Sequence, residues 1–418
     1  MCGLFNVDVL EEDQVVRIVE HKYKVYGKSF CEPLLEGFWR WGVRYIPRQI
    51  APNTLTFTGL LANVLPAAVL LYCSPYFRDE ISPVCILLFA LGVFIYQTLD
   101  ALDGLHARQT NTCSQLGELF DHGCDAISMY SASLGYFSTI GLGHNPTVMF
   151  VEFFIFSCVF YFSQWQSYVT GVMCFDGFSV TEAILACVLS CIISALFGVS
   201  IWQTKDPIFG LEINQIQFII VVLGSLVLFS RFGHTISVGG SGKFGTTVAN
   251  TSVLFPICPL LLVLGSAVLM ATRSPSNIYN NHPCLFLLGF GAVMAKISQN
   301  LVIAHMTKSG IALFDSVMLG PFSLLVNLYF ECPISEHFLL WLFVFWSTLD
   351  MLYFCIRVAI QVANFLNLYI FRVDRPAMTT TGMRRPRLPT RSRPSSGTRS
   401  SSDSPSVSLR TRTNRLAQ

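Results

Sequence analysis

The sequence predicts an all-α, polytopic integral membrane protein with about ten transmembrane helices. Three observations predict it. Apolar residues make up 52% of the 418-residue chain and charged residues only 12%, about half the charged share of a typical globular protein. Phenylalanine alone, at 35, outnumbers lysine plus arginine, at 27. The apolar residues also gather in long runs, and about 20 of them suffice to cross a bilayer as a helix. A chain this poor in charge cannot cover the surface of a cytosolic or secreted globular enzyme.

In chain order, residues 1–50 read as a polar cytosolic segment. Glu11, Glu12 and Asp13 do not fit a cleavable signal peptide, so the first span is expected to act as the insertion signal. Phe38-Trp39-Arg40-Trp41-Gly42-Val43-Arg44-Tyr45-Ile46 mixes aromatics with Arg, which suits a helix lying in the headgroup plane. An aromatic belt opening the first span is the alternative. Ten apolar windows follow, at roughly 54–75, 83–103, 118–141, 147–170, 180–203, 214–233, 249–271, 284–306, 310–331 and 337–370. Several abut, so nine to eleven spans fit, and the last is long enough to carry an interfacial extension. Residues 51–371 therefore read as one transmembrane domain without an obvious internal repeat.

Residues 372–418 read as an Arg/Ser-rich cytosolic tail without apolar periodicity, expected to be disordered and able to touch anionic lipid. From Arg384 onward it holds nine Arg and one acid, Asp403, while the rest of the chain holds 18 basic and 24 acidic residues. Basic residues beside spans mark the cytosolic side. Lys22, Lys24, Lys28, Arg40, Arg44 and Arg48 precede the first window, whereas the next connection has Arg78 beside Asp79 and Glu80. The N-terminus and the connection carrying His106 and Arg108 are thus expected in the cytosol. Most of the 14 cysteines lie in apolar runs, where they behave as small hydrophobes, and no Cys-x-x-Cys pair suggests zinc.

One polar cluster has no place in an inert span. It reads Asp100-Ala101-Leu102-Asp103-Gly104-Leu105-His106-Ala107-Arg108, then eight residues, then Gly117-Glu118-Leu119-Phe120-Asp121-His122-Gly123-Cys124-Asp125. Asp100 and Asp103 share one helix face, and so do Asp121 and Asp125. A short connection should make the two helices antiparallel neighbours, so all four carboxylates converge. Such a group repels itself unless cations neutralise it. Oxygen-only ligands favour Mg²⁺, Mn²⁺ or Ca²⁺, and four of them can hold a pair of ions suited to phosphoryl displacement. Gly104 and Gly117 leave room for a ligand, and Arg108 offers a fork matched to phosphate oxygens.

The pattern Asp-x-x-Asp-Gly-x-x-Ala-Arg, eight residues, Gly-x-x-x-Asp-x-x-x-Asp is similar to the signature of the CDP-alcohol phosphotransferases, with every fixed position present. Ala51-Pro52-Asn53 with Thr56, Trp165 to Gly171, Val180-Thr181-Glu182 and Val302 to Lys308 resemble the eukaryotic choline/ethanolamine branch. The likeness runs over roughly residues 15–370 and leaves the tail unmatched.

The resemblance implies a CDP-alcohol phosphotransferase core. It also implies transfer of phosphocholine or phosphoethanolamine from CDP-choline or CDP-ethanolamine to diacylglycerol, with release of CMP. It implies Mg²⁺ or Mn²⁺ as cofactor, two ions in number, and a homodimer in the endoplasmic reticulum or Golgi membrane with a cytosolic active site. No nucleic-acid partner is expected. Asp100, Asp103 and Asp121 would be the principal metal ligands, with Asp125 completing the set. Asp125 and His122 compete for the role of general base. Arg108 would hold a phosphate, Gly104 and Gly117 would admit the nucleotide, and Asn53 would contact the CDP portion. Glu118 would bind the CDP or the cationic headgroup.

Aromatic faces hold quaternary ammonium best, which makes Trp165, Tyr168 and Tyr96 candidates. His305 and Lys308 end the eighth window, either near substrate or snorkelling, and Lys296 is expected to reach an acid such as Asp315. Relatives usually carry Lys, Gln and Arg where this chain has Leu105, His106 and Gln109, and often His and Asp where it has Gln164 and Ser179. A transporter or channel with an acidic cation site is the competing class. Transporters often show duplicated halves, and this chain has one Asp cluster.

Overall fold

The computed structural model describes residues 8–174, 177, 179–208, 210–242 and 245–373. The expected disorder of the tail therefore falls almost wholly outside the described residues. Two short helices precede the spans, α1 (Glu12–Glu20) and α2 (Glu32–Gly42), with strand β1 (Val25–Tyr26) between them. Then come α3 (Pro52–Cys73), α4 (Pro83–Thr110), α5 (Gln115–Thr139), α6 (Pro146–Thr170), β2 (Met173–Cys174), α7 (Val180–Phe197) and α8 (Ile213–Val238). The remainder is α9 (Ile257–Arg273), α10 (Ile278–Asn281), α11 (Pro283–Thr307), α12 (Leu319–Tyr329) and α13 (Glu336–Leu366).

A helix occupies each of the ten windows. Among the described residues, seven are long and apolar enough to cross a membrane: α3, α4, α6, α7, α8, α11 and α13. Two helices are shorter than their windows, α9 and α12. Asn250 lies at positive φ, and Thr247 and Thr251 bond to each other, so α9 starts only after Pro256. Asp315 caps the turn before α12, its carboxylate accepting from the Val317 N–H at 2.9 Å. The last window is instead one helix of 31 residues, α13.

Local chemistry sets many of the ends. Pro52, Pro83, Pro146 and Pro283 open α3, α4, α6 and α11, where a missing N–H costs nothing and φ is already helical. Ser114 caps α5, accepting from the Gly117 N–H at 3.1 Å. Asn111 ends α4 in the left-handed region at φ 55°, which Asn tolerates better than most side chains.

Helix α11 lies at the centre: 89% of its apolar window is buried, against 6% for α8. The main core gathers side chains of α5, α6, α11 and α13, including Phe137, Phe153, Phe290 and Phe343. Helices α4 and α5 bring their Asp residues together as the hairpin expectation had it, but along their length they do not form the main packing pair. Helix α3 packs extensively along both α4 and α5, which meet each other far less. Gly92 on α4 permits this, since a Cβ there would overlap the Ala62 carbonyl of α3.

Two outer segments fold back over the end where α3 and α5 begin. The N-terminal segment is pinned by Gln361, which exchanges hydrogen bonds with both backbone groups of Leu10 at 3.0 and 2.7 Å. It continues into β1, which pairs in parallel with β2. Residues after α13 return to α3, where the Asn53 amide donates to the Ile370 carbonyl at 3.0 Å. Phe371 lies against Phe57 and Phe120. Helix α2 forms where an interfacial helix was expected. Trp39 packs inward with Val43 and Leu102, while Trp41 and Tyr45 stay exposed.

Lys296 reaches Asp315, as the sequence suggested, at 2.8 Å. It also pairs with Asp350 of α13 and donates to the Ser316 hydroxyl at 2.8 Å. Lys296→Met should leave two carboxylates facing each other with no cation. Breaking a buried pair from one side costs about 3–5 kcal/mol, so a large drop in the thermal unfolding midpoint of the purified variant is expected. Replacing all three residues by apolar ones should recover most of it.

Candidate functional site

The site sits where the C-terminal part of α4 meets the first turns of α3 and α5. Carboxylate oxygens of Asp100, Asp103 and Asp121 lie within 4.8 Å of one another. Thr56 of α3, buried at 2% exposure, donates its hydroxyl to Asp103. Asp125 lies one turn further along α5, outside this trio, and accepts from the Tyr96 hydroxyl at 2.5 Å. Tyr96, expected as a headgroup face, is instead a buried partner of this carboxylate.

The trio fits a divalent cation. Its donors are all hard oxygens. Asp100 Oδ1 and Asp121 Oδ1 are buried with no hydrogen-bond partner, and a buried charge without a partner is costly. A cation among them would satisfy both oxygens and remove the mutual repulsion. The other expected residues of the two segments lie around this trio. The Arg108 guanidinium folds back over Gly104, 3.7 Å from where a Cβ would stand. Gly117 lies beside Ser114 and Asn53 in the same way.

His122 is buried one turn after Glu118, its ring Nδ1 2.9 Å from the Glu118 carbonyl. A carbonyl only accepts, so Nδ1 carries the hydrogen and Nε2 of the neutral ring keeps its lone pair. Gln299 of α11 donates to the His122 carbonyl and fixes the backbone there. A small cavity opens beside this ring, walled by Tyr23, Glu118, His122, Gln164, Ser167 and His305 among others. The Tyr23 ring meets that of His122 edge-on at 6.1 Å.

Trp165 and Tyr168 are not the cavity wall. Both are fully buried in the core, the indole N–H donating to the Val253 carbonyl at 2.8 Å and the Tyr168 hydroxyl to the Ser309 carbonyl at 3.1 Å. Helical spacing explains the correction. Gln164 and Ser167 share one face of α6, and Trp165 and Tyr168 share the next face round. Sequence reasoning also passed over His21 and Tyr23. They precede the first span by some thirty residues, and no spacing ties them to the Asp pattern. His305 lines the cavity, whereas Lys308 ends α11 in the left-handed region at φ 50°.

Known proteins give the site its context. A sequence model described as CDP-alcohol phosphatidyltransferase matches residues 49–202. Cholinephosphotransferase 1 of Danio rerio is 41% identical over 86% of this chain and 94% of its own length. Cholinephosphotransferase 1 of Xenopus laevis is 40% identical over 89% of this chain and 92% of its own. The Homo sapiens protein of that name is 40% identical over 87% and 89%.

Proposed function

Because the chain belongs to the CDP-alcohol phosphatidyltransferase family, we propose that it transfers phosphocholine from CDP-choline to diacylglycerol, giving phosphatidylcholine and CMP. The observation that carries this reading is the buried Asp100, Asp103 and Asp121 trio in a chain so similar to cholinephosphotransferases along nearly its whole length. CDP-ethanolamine is the competing donor. The protein would act as a homodimer in the endoplasmic reticulum or Golgi membrane, with the Asp end facing the cytosol. Helices α5, α9 and α12 would complete ten spans.

Asp100, Asp103 and Asp121 would hold Mg²⁺ or Mn²⁺, with Asp125 taking part if a second ion binds. Bound divalent cations neutralise a diphosphate and polarise the phosphorus under attack. His122 Nε2 takes the proton of the diacylglycerol hydroxyl, whose oxygen then bonds to the phosphorus bearing choline. The bond from that phosphorus to the CMP oxygen breaks, and CMP leaves with the electron pair. His122 is preferred to Asp125 as base because Nε2 has a free lone pair, while an oxygen of Asp125 is committed to Tyr96. Arg108 would grip a phosphate oxygen once it swings off Gly104. Asn53 would exchange the Ile370 carbonyl for the nucleotide. Glu118, with the rings of Tyr23 and His122, would face the quaternary ammonium in the cavity.

Purified protein supplied with Mg²⁺, dioleoylglycerol and labelled CDP-choline should yield labelled phosphatidylcholine. EDTA should stop the reaction and Mg²⁺ restore it. No labelled lipid from either CDP-choline or CDP-ethanolamine would defeat the enzyme reading and favour an acidic cation pathway. Label from CDP-ethanolamine alone would correct the headgroup.

A further inference from the structure

We propose that His21 is a positioning residue that fixes the Glu118 carboxylate toward the donor headgroup, so that the N-terminal segment completes the binding site. The inference rests on the headgroup reading of Glu118 given above. His21 lies outside the stretch matched by the family's sequence model, which begins at residue 49.

Its ring Nε2 lies 2.9 Å from Glu118 Oε1, and the two side chains are 6% and 9% exposed. The residues are 97 positions apart, so only the tertiary fold joins them. The meeting is built from both sides. His21 follows the last residue of α1, where its own N–H donates to the Ile18 carbonyl, and α1 packs on α11 and α13. Gln115, one turn before Glu118 on α5, donates to the His21 carbonyl at 3.0 Å and to that of Val19 at 3.3 Å. Two side chains from the first turn of α5 therefore hold His21, Gln115 at its backbone and Glu118 at its ring. On its other side the His21 ring meets that of His305 edge-on at 5.0 Å.

Glu118 and His305 both wall the cavity beside His122. His21 stands behind them and selects one rotamer of the carboxylate. A glutamate in a first helical turn otherwise samples several rotamers and must be ordered when it binds a cation. Holding it in advance transfers that cost from binding to folding. The effect belongs to donor affinity, since His21 touches no reacting atom.

Steady-state kinetics of the full-length protein in proteoliposomes, with CDP-choline and dioleoylglycerol, test this. His21→Ala should raise KM for CDP-choline roughly tenfold, the scale of a lost hydrogen bond to a charged group. It should leave kcat and KM for diacylglycerol within about twofold on the same reasoning. His21→Gln, which keeps an N–H donor, should recover most of the affinity. Glu118→Gln should also raise KM for CDP-choline, and adding His21→Ala to it should change nothing further, because the two act as one unit. An unchanged KM in His21→Ala, or an additive double variant, overturns the positioning role. An unchanged KM in Glu118→Gln overturns the headgroup reading itself, whatever His21 does.

Discussion

Asp121→Asn is expected to abolish transfer while making the metal-free protein more stable. The two effects have one cause. Asp121 is a member of the close carboxylate trio and has a buried oxygen with no partner. On the proposed reading it holds the cation, and losing it should cut turnover by on the order of 10³-fold or more, beyond the 10–100-fold typical of a residue that merely supports a ligand. As a charge it repels Asp100 and Asp103 when no cation is present. Replacing it by a neutral isostere relieves that repulsion. Thermal unfolding in EDTA should therefore shift upward in Asp121→Asn, and Mg²⁺ should stabilise the wild type but not the variant. An active variant would remove Asp121 from the metal site. A variant that Mg²⁺ still stabilises would move the cation elsewhere.

His122→Ala is expected to lower kcat by about 10²–10⁴-fold, the usual range for loss of a general base. Metal-dependent stabilisation should persist, because the Asp trio is intact. The comparison with Asp125→Asn is the sharper one. If Nε2 of His122 takes the hydroxyl proton, Asp125→Asn should act through Tyr96 and the local packing, and cost less than His122→Ala. The reverse order in kcat would make Asp125 the base. His122→Gln should not rescue, since an amide offers no comparable lone pair to a proton, although it fills similar space.

The helices were legible because their signals are local. A run of apolar residues needs no partner to announce a span, and Pro at the first position of α3, α4, α6 and α11 marks a start by its own geometry. The Asp trio was legible for a related reason. Spacings of three and four residues on a helix fix a shared face before any packing is known. The same spacing could not tell which face of α6 turns to the cavity, so it did not show that Gln164 and Ser167 line it while Trp165 and Tyr168, the candidate aromatic faces for the ammonium, are buried in the core. Nor could it show that Asp125 stands outside the close trio and accepts from the Tyr96 hydroxyl of α4.

The sequence by itself determined the membrane class, the position of nearly every helix and the acidic cluster, because hydrophobicity and helical periodicity act over a few residues. Only the tertiary structure decided that α3 supplies Thr56 to the cluster. It alone brought the N-terminal segment and its His21 onto Glu118. These contacts join residues tens of positions apart, and their partners are chosen by which faces pack, a choice no local pattern encodes.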